Sequence, residues 1–161
     1  MTTADEIIDL IDRGFLKKIK GYLFRQNNYE NSLIITNDIL SNTNIIEDLK
    51  RILIELEIKE IEINMQFTNK INDLTILNQL PFIDGITIIY WDKIDYNELY
   101  KTPNLKKYTN NYTSESIKFN FFKKLEEANI LWSKGTESIL ECQNLKKLTL
   151  YNFKSKKLKR L

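Results

Sequence analysis

The chain has 161 residues, of which 42% are hydrophobic and 11% aromatic. This composition predicts one folded domain and excludes an intrinsically disordered chain. The formal charge of +2, the single cysteine and the lack of histidine give no indication of a strong nucleic-acid-binding field, a disulfide framework or a histidine-based site.

The N-terminal segment, residues 1–50, is predicted to form an α-helical cap. Apolar residues at steps of three and four, from Ile8 to Ile19, indicate an amphipathic helix over about residues 4 to 20. Leu33–Thr36 has Asn-rich flanks and indicates a short strand. The apolar residues between Ile45 and Leu56 indicate a second helix.

The sequence carries no targeting or membrane-spanning signal. Its N-terminus is acidic and lacks the basic and apolar regions of a secretory signal. No apolar run approaches the roughly 18 residues that span a bilayer. We therefore expect a cytoplasmic protein with no membrane partner.

Between residues 51 and 153, apolar residues recur in sets with the same internal spacing. In each set, a first apolar residue precedes a second by six positions. Further apolar residues follow three and usually five positions after the second one. The second member advances by 25, 22, 20 and 20 residues, a period that predicts a solenoid of about five repeats. The sets are Ile52/Ile58/Ile61/Ile63, Leu77/Ile83/Ile86/Ile88, Leu99/Leu105/Tyr108, Phe119/Leu125/Ala128/Ile130 and Ile139/Leu145/Leu148/Leu150.

The L-x-x-L-x-L core of these sets resembles the leucine-rich repeat family, in an irregular, bacterial-style form. The better matches run from Ile58 to Ile63, from Ile83 to Ile88 and from Leu145 to Leu150. The resemblance implies an α/β solenoid with a parallel sheet on the concave face, helices on the convex side and a concave sheet that binds protein. The Asn or Cys that follows the strand in this family is absent here, where Gln66, Trp91, Thr113, Ser133 and Phe153 stand instead.

We expect residues 1–161 to form a single domain that ends in a basic stub, residues 154–161. Five of the last eight residues are Lys or Arg. They are interpreted as a solvated terminus, with a contact to nucleic acid or another anionic surface as the alternative.

Alternation along each predicted strand separates inward from outward side chains. The third position of the units mixes Glu, Gly and Lys, so it implies no single sign of charge on a partner. The eighth position is mostly Met or aromatic, which has two interpretations: side chains that seal the edge of the core, or a row of binding hot spots. The candidate partner-binding residues are Tyr90, Tyr112, Trp132, Tyr151, Ile89, Leu131 and Lys107.

We expect no catalytic residues, no cofactor and no metal site. The commonest general base and metal ligand, histidine, is missing. Cys142 stands three residues before Leu145, at an apolar position of its unit, and is predicted to be a buried structural thiol. The glycines are too far apart to form a phosphate-binding loop.

The sequence thus favours a non-enzymatic protein-protein binding module with one protein partner. An inhibitor or immunity protein that neutralises a toxin through its concave surface is the specific form we consider. One alternative is a nucleic-acid-binding protein that uses Lys106, Lys107, Lys146, Lys147 and the basic tail, although the intervening Glu residues disfavour it. Another is a repeat fragment of a larger effector, indicated by the incomplete unit at Leu158. The oligomeric state stays open.

Overall fold

The computed structural model describes residues 4–26, 31–68, 71, 74–90, 94–112 and 116–152, which form a mixed α/β structure around one sheet. Within these residues the strands are β1 (Leu16–Ile19), β2 (Tyr22–Gln26), β3 (Asn31–Ile35), β4 (Glu60–Asn64), β5 (Gly85–Ile89), β6 (Lys107–Asn110), β7 (Glu127–Leu131) and β8 (Lys147–Tyr151). The α-helices are α1 (Ala4–Asp12), α2 (Asn37–Ser41), α3 (Ile46–Glu55) and α4 (Ile76–Gln79). The 3₁₀ helices are Thr43–Ile45, Leu99–Lys101, Phe119–Phe121 and Lys134–Glu141.

The strands lie side by side in chain order, from β1 at one edge to β8 at the other, and the sheet is open. Pairing is antiparallel from β1 to β3 and parallel from β3 to β8. Parallel neighbours require crossover connections. In the described part of the chain, each of these connections contains a helical segment.

The parallel strands pair in the register that the apolar spacing predicts. Ile61 pairs with Ile86, Ile86 with Tyr108, and Tyr108 in turn with Ala128, which pairs with Leu148. Equivalent positions of successive sets are therefore direct neighbours across the sheet. The prediction of a parallel sheet with this register is confirmed.

One face of the sheet, the inner face, packs with the helical segments into the main core. Ile61, Ile63, Ile86, Ile88 and Ile130 on this face are at most 2% exposed. The helical residue that opens each set is also buried, and these residues are Ile52, Leu77, Leu99, Phe119 and Ile139. In the last set, Leu145, Leu148 and Leu150 are only partly buried, since β8 is the edge strand.

The N-terminal helix is shorter than predicted because Gly14 ends it. Gly14 has a φ of +74°, and its N–H donates to the carbonyl of Ile11 at 2.9 Å. The N–H of Phe15 donates to the carbonyl of Leu10, also at 2.9 Å. These two bonds form a Schellman motif, in which a left-handed residue terminates the helix. The prediction of a helix up to residue 20 is therefore wrong beyond Asp12.

Residues 16–26 form a hairpin instead of the second half of that helix. Lys20 and Gly21, between β1 and β2, have φ values of +48° and +90°. Two positive-φ residues are what a type I′ hairpin turn requires. The hairpin places β1 where a helix was predicted, so that part of the prediction is corrected, whereas β3 lies where the sequence indicates a strand, at Leu33–Thr36.

The opposite face, the outer face, carries a second, smaller core at the N-terminal end of the sheet. It contains Leu16, Leu23, Ile34 and Phe67, with Ile7, Leu10 and Ile11 of α1 packed against them. Successive strand residues point to opposite faces, so Leu33 belongs to the main core and Ile34 to the second core. Helix α1 therefore covers the outer face near β1 to β3, and candidate outward positions lie on β4 to β8.

Candidate binding surface

The first row of outer-face residues on β4 to β8 is charged and largely self-neutralised. Pairing in register aligns Glu60, Gly85, Lys107, Glu127 and Lys147. Lys107 Nζ lies 2.8 Å from Glu60 Oε1, and Lys147 Nζ lies 2.5 Å from Glu127 Oε1. Lys107, a predicted binding residue, is thus part of an ion pair in the free protein.

A second charged row lies one residue earlier, where each strand begins. Lys106 Nζ is 3.1 Å from Asp84 Oδ2, and Lys146 Nζ is 2.7 Å from Glu126 Oε2. The hydrogen bond from Lys146, assisted by the nearby charge of Lys106, lowers the pKa of Glu126. Backbone bonds hold these residues in one line, since the N–H of Lys106 donates to Asp84 and the N–H of Lys146 donates to Glu126.

These pairs bear directly on the nucleic-acid interpretation. Each of Lys106, Lys107, Lys146 and Lys147 already has a carboxylate partner. A phosphate backbone is bound through cations whose charge it can neutralise. That interpretation therefore keeps only the basic tail, which lies outside the described residues.

Apolar and aromatic side chains occupy the opposite end of the same strands. Leu131 of β7 pairs with Tyr151 of β8, and Ile89 ends β5. Tyr151 is 43% exposed, while Ile89 and Leu131 are half-buried. These three candidate residues share the outer face at the carboxyl ends of the strands, where Leu131 and Tyr151 are direct neighbours and β6 separates them from Ile89.

Tyr112 follows β6 at the same end and is 48% exposed. Asn110 positions it, because its Oδ1 accepts a hydrogen bond from the N–H of Tyr112 at 3.2 Å. The Asn110 amide in turn donates to the hydroxyl of buried Tyr96 at 3.1 Å. The buried Asn110, at a position where the other sets have an aliphatic residue, thus shapes the turn that presents Tyr112 to solvent.

Trp132 and Tyr90 occupy the same position in their units but differ in burial. Trp132 is partly buried against the main core, and its backbone N–H donates to the backbone carbonyl of Tyr151 at 2.9 Å. Tyr90 is only 3% exposed and belongs to the main core. The interpretation of Tyr90 as a partner-binding residue is corrected, because its side chain packs inside the protein at the end of β5.

We call Ile89, Tyr112, Leu131, Trp132 and Tyr151 the aromatic patch. The outer face between this patch and the charged rows carries Thr87, Thr109, Asn129 and Thr149, all half-buried. Asn129 Nδ2 donates to Thr109 Oγ1 at 3.2 Å. The patch is therefore an apolar region on the otherwise polar outer face of β5 to β8.

An ion pair next to this face was not predicted from the sequence. Arg25 of β2 donates to both carboxylate oxygens of Glu62, at 2.8 and 2.6 Å, and Asn64 Nδ2 donates to Glu62 Oε1 at 2.8 Å. The Glu62 side chain is 5% exposed. Its hydrogen bonds raise the pKa of Arg25 further above the usual value. The register aligns Arg25 with Ser32 and Glu60, so its contact with Glu62 runs diagonally across β3 and could not be read from strand alternation alone.

Cys142 lies on the helical side of the main core, away from the aromatic patch. Its Sγ donates to the carbonyl of Phe119 at 3.3 Å, and the side chain is partly buried. Burial, with a smaller effect of Glu141, raises the pKa of the thiol. This environment fits a structural residue.

Among the described residues, no three His, Cys, Asp or Glu side chains lie close enough to hold a metal ion. The helices in the described ranges are also too short or too polar to cross a bilayer. Comparison of the chain with protein-family models, with curated proteins and with solved structures finds no match.

Proposed function

We propose that this protein is a non-catalytic binding module that holds one protein partner against the outer face of its sheet. The observation that carries the proposal is the aromatic patch, where exposed Tyr151 pairs in register with half-buried Leu131, and exposed Tyr112 and half-buried Ile89 lie at the same end of the sheet. Contiguous apolar side chains on a sheet face mark interaction sites more often than scattered ones do. Tyr and Trp at such a centre can each contribute about 2 kcal/mol or more to binding.

The architecture behind this surface is, in our proposal, a leucine-rich-repeat-like solenoid with the outer face as its concave side. The support is the identical register of successive strands and the buried helical residue that opens each set. The first strands and α1 would act as the N-terminal cap, since terminal units of a solenoid cover its otherwise exposed core.

The charged rows define what the partner would meet around the patch. Lys107 is 33% exposed at its side chain although it pairs with Glu60. A partner carboxylate could approach it from solvent, while the paired acids give the face a mixed potential. Such complementarity governs specificity and association rate more than affinity.

In the specific form of this proposal, the partner is a toxin, and this protein inhibits it by covering the toxin's functional surface. Three residues of the patch lie on regular strands and Tyr112 is held by the hydrogen bond to Asn110, so the surface is largely preformed and loses little entropy on binding. A preformed surface suits blocking of a partner better than reshaping of it. Ile89 and Leu131 would lie at the centre of the contact and Lys107 at its rim.

The experiment is a cross-linked capture from cells that produce the tagged protein, repeated with matched variants. Tyr112→Arg and Tyr151→Arg place a charge in the patch at side chains that are already exposed. Ile54→Arg is the control, because Ile54 is 63% exposed on α3 and lies outside the patch. We expect one protein to be captured by the wild type and by Ile54→Arg but lost from both tyrosine variants. Equal capture by all four proteins would refute the proposal.

A further inference from the structure

A cavity of about 650 Å³ lies at the N-terminal end of the molecule, away from the aromatic patch. Its walls come from α1, the turn between β1 and β2, and the segment that leads from β3 into α2. None of the aromatic-patch residues lines it. A volume of roughly 300 to 1,000 Å³ is typical of small-molecule sites.

The walls of this cavity are mainly apolar. Leu23, Ile39 and Phe67 line it and are each at most 8% exposed, and Ile7 of α1, which packs against the cluster that contains Leu23 and Phe67, lines it as well. Ile8, which is 56% exposed, also belongs to the lining. An aliphatic chain in this space would remove its own apolar surface and that of Ile8 from water, at about 25 cal/mol for each Å² buried.

A cation lies on the same wall as this apolar surface. Lys18 and Leu23 pair across β1 and β2, so both side chains project from the outer face, and both line the cavity. Lys20 lines it as well, but its Nζ pairs with Glu55 at 3.2 Å. Among the described residues Lys18 has no carboxylate partner, and the described lining holds two lysines against one acid, Asp38.

We propose that the cavity binds a single-chain amphiphile with a carboxylate head group, such as a fatty acid. The chain packs against Leu23, Ile39 and Phe67, and the carboxylate accepts a hydrogen bond from Lys18. The aliphatic stem of the lysine lies along the apolar wall while its ammonium stays near water, as long cationic side chains do at such boundaries. This inference is independent of the protein-binding proposal, because it uses a different part of the molecule.

The test is a fluorescence titration of the full chain with dansyl-undecanoate at low ionic strength, followed by displacement. Laurate should displace the probe, whereas dodecanol and dodecyltrimethylammonium should displace it about tenfold more weakly, since they lack the anionic head group. Far-UV circular dichroism should be unchanged at saturation. Absence of saturable binding, loss of structure at saturation or equal displacement by all three compounds would overturn the proposal.

Two pairs of variants separate the head-group contact from general hydrophobic adsorption. Lys18→Met should weaken laurate binding about tenfold and leave dodecanol unaffected, whereas Lys17→Met should change neither. Lys17 pairs with Phe24 and so lies on the other face of the same strand. Ile8→Glu should weaken laurate binding and Ile54→Glu should not, because only Ile8 lines the cavity. Equal effects within either pair would contradict the assigned site.

Discussion

Lys107 Nζ lies 2.8 Å from Glu60 Oε1 although the two residues stand on strands that are not neighbours. Gly85 is the residue between them in the sheet register. A Cβ built on Gly85 would lie 2.6 Å from Cγ of Glu60, which is too close for two carbon atoms. The missing side chain at Gly85 therefore lets Glu60 extend across β5 to Lys107.

Gly85→Ala should break this ion pair without unfolding the sheet. The Glu60 side chain is flexible and can move away, and replacing a strand glycine offsets part of the loss, so stability should change by less than about 1 kcal/mol. A double-mutant cycle with Glu60→Gln and Lys107→Met in urea denaturation should give a coupling of about 0.2 to 1 kcal/mol, reduced by salt. The same coupling in the Gly85→Ala background would show that the pair survives and that the explanation is wrong.

Arg25→Ala should be strongly destabilising because it leaves the buried carboxylate of Glu62 without its cationic partner. Glu62 would keep only the amide of Asn64 as a side-chain donor within the described residues. Removing one partner of a buried ion pair costs about 3 to 5 kcal/mol, and the partial exposure of Arg25 places the expected value near about 3. Arg13→Ala is the control, since its pair with Asp9 and its contact with the ring of Phe15 are both exposed and together should contribute about 1 kcal/mol or less. Similar urea midpoints for the two variants would contradict the buried pair.

Ile130→Ala should cost about 2 to 5 kcal/mol, because Ile130 is 1% exposed and its truncation leaves a cavity. Leu148 also lies on the inner face, but it is only partly buried on the edge strand β8. We therefore expect a smaller loss of stability for Leu148→Ala than for Ile130→Ala. Urea denaturation of both variants checks the order, and a reversed order would mean that β8 is covered in solution.

The thiol of Cys142 should be unreactive at neutral pH. Burial raises its pKa, so the folded protein holds the neutral thiol more strongly than the unfolded chain, whose cysteine has a pKa of about 8.5. The resulting contribution to stability is complete below the unfolded pKa and is lost as pH rises through the folded one. Reaction with a disulfide reagent should therefore be slow until urea is added. Rapid modification of the native protein near pH 7 would contradict this environment.

Tyr90→Ala should mainly reduce stability and Tyr151→Ala should mainly reduce partner binding, although the sequence placed both residues on one binding surface. Tyr90 is 3% exposed, and its truncation should cost about 3 to 5 kcal/mol of stability. Tyr151 is 43% exposed, so its truncation should change stability by about 0.5 kcal/mol or less and weaken partner binding by about 2 kcal/mol, roughly thirtyfold. Trp132→Ala should affect both quantities, since Trp132 is partly buried. Calorimetry with the captured partner, beside urea denaturation, measures the two effects.

The parallel strands were predictable because their apolar spacing reflects the register directly. Ile86 and Ile88 alternate with Thr87 in a strand that is buried on one face, and the same pattern returns one crossover later. The orientation of the side chains at the eighth position of the units was only partly predictable. Strand periodicity ends at Ile89, so it cannot show whether the next side chain turns inward, as Tyr90 does, or outward, as Tyr112 does.

The prediction for the N-terminal region was wrong because its apolar spacing fits a helix that the backbone does not continue. Ile8, Ile11, Phe15 and Ile19 fit a helical stripe, but Gly14 interrupts the backbone that such a stripe needs. The exposed Phe15 no longer faces the core once α1 has ended. The hairpin turn at Lys20 and Gly21 carried a weaker signal, because Lys is not the residue that usually precedes Gly in a type I′ turn.

The charged row at the strand starts also constrains how this chain could be shortened. Along that row Lys59, Asp84, Lys106, Glu126 and Lys146 alternate in sign from one strand to the next. Excising one strand with its crossover would set Asp84 beside Glu126, or Lys106 beside Lys146, and like charges on adjacent strands repel each other. Excising two successive strands with their crossovers would again place residues of opposite charge side by side. Removing an even number of internal units would therefore preserve the alternation of charge along this row, and removing an odd number would not.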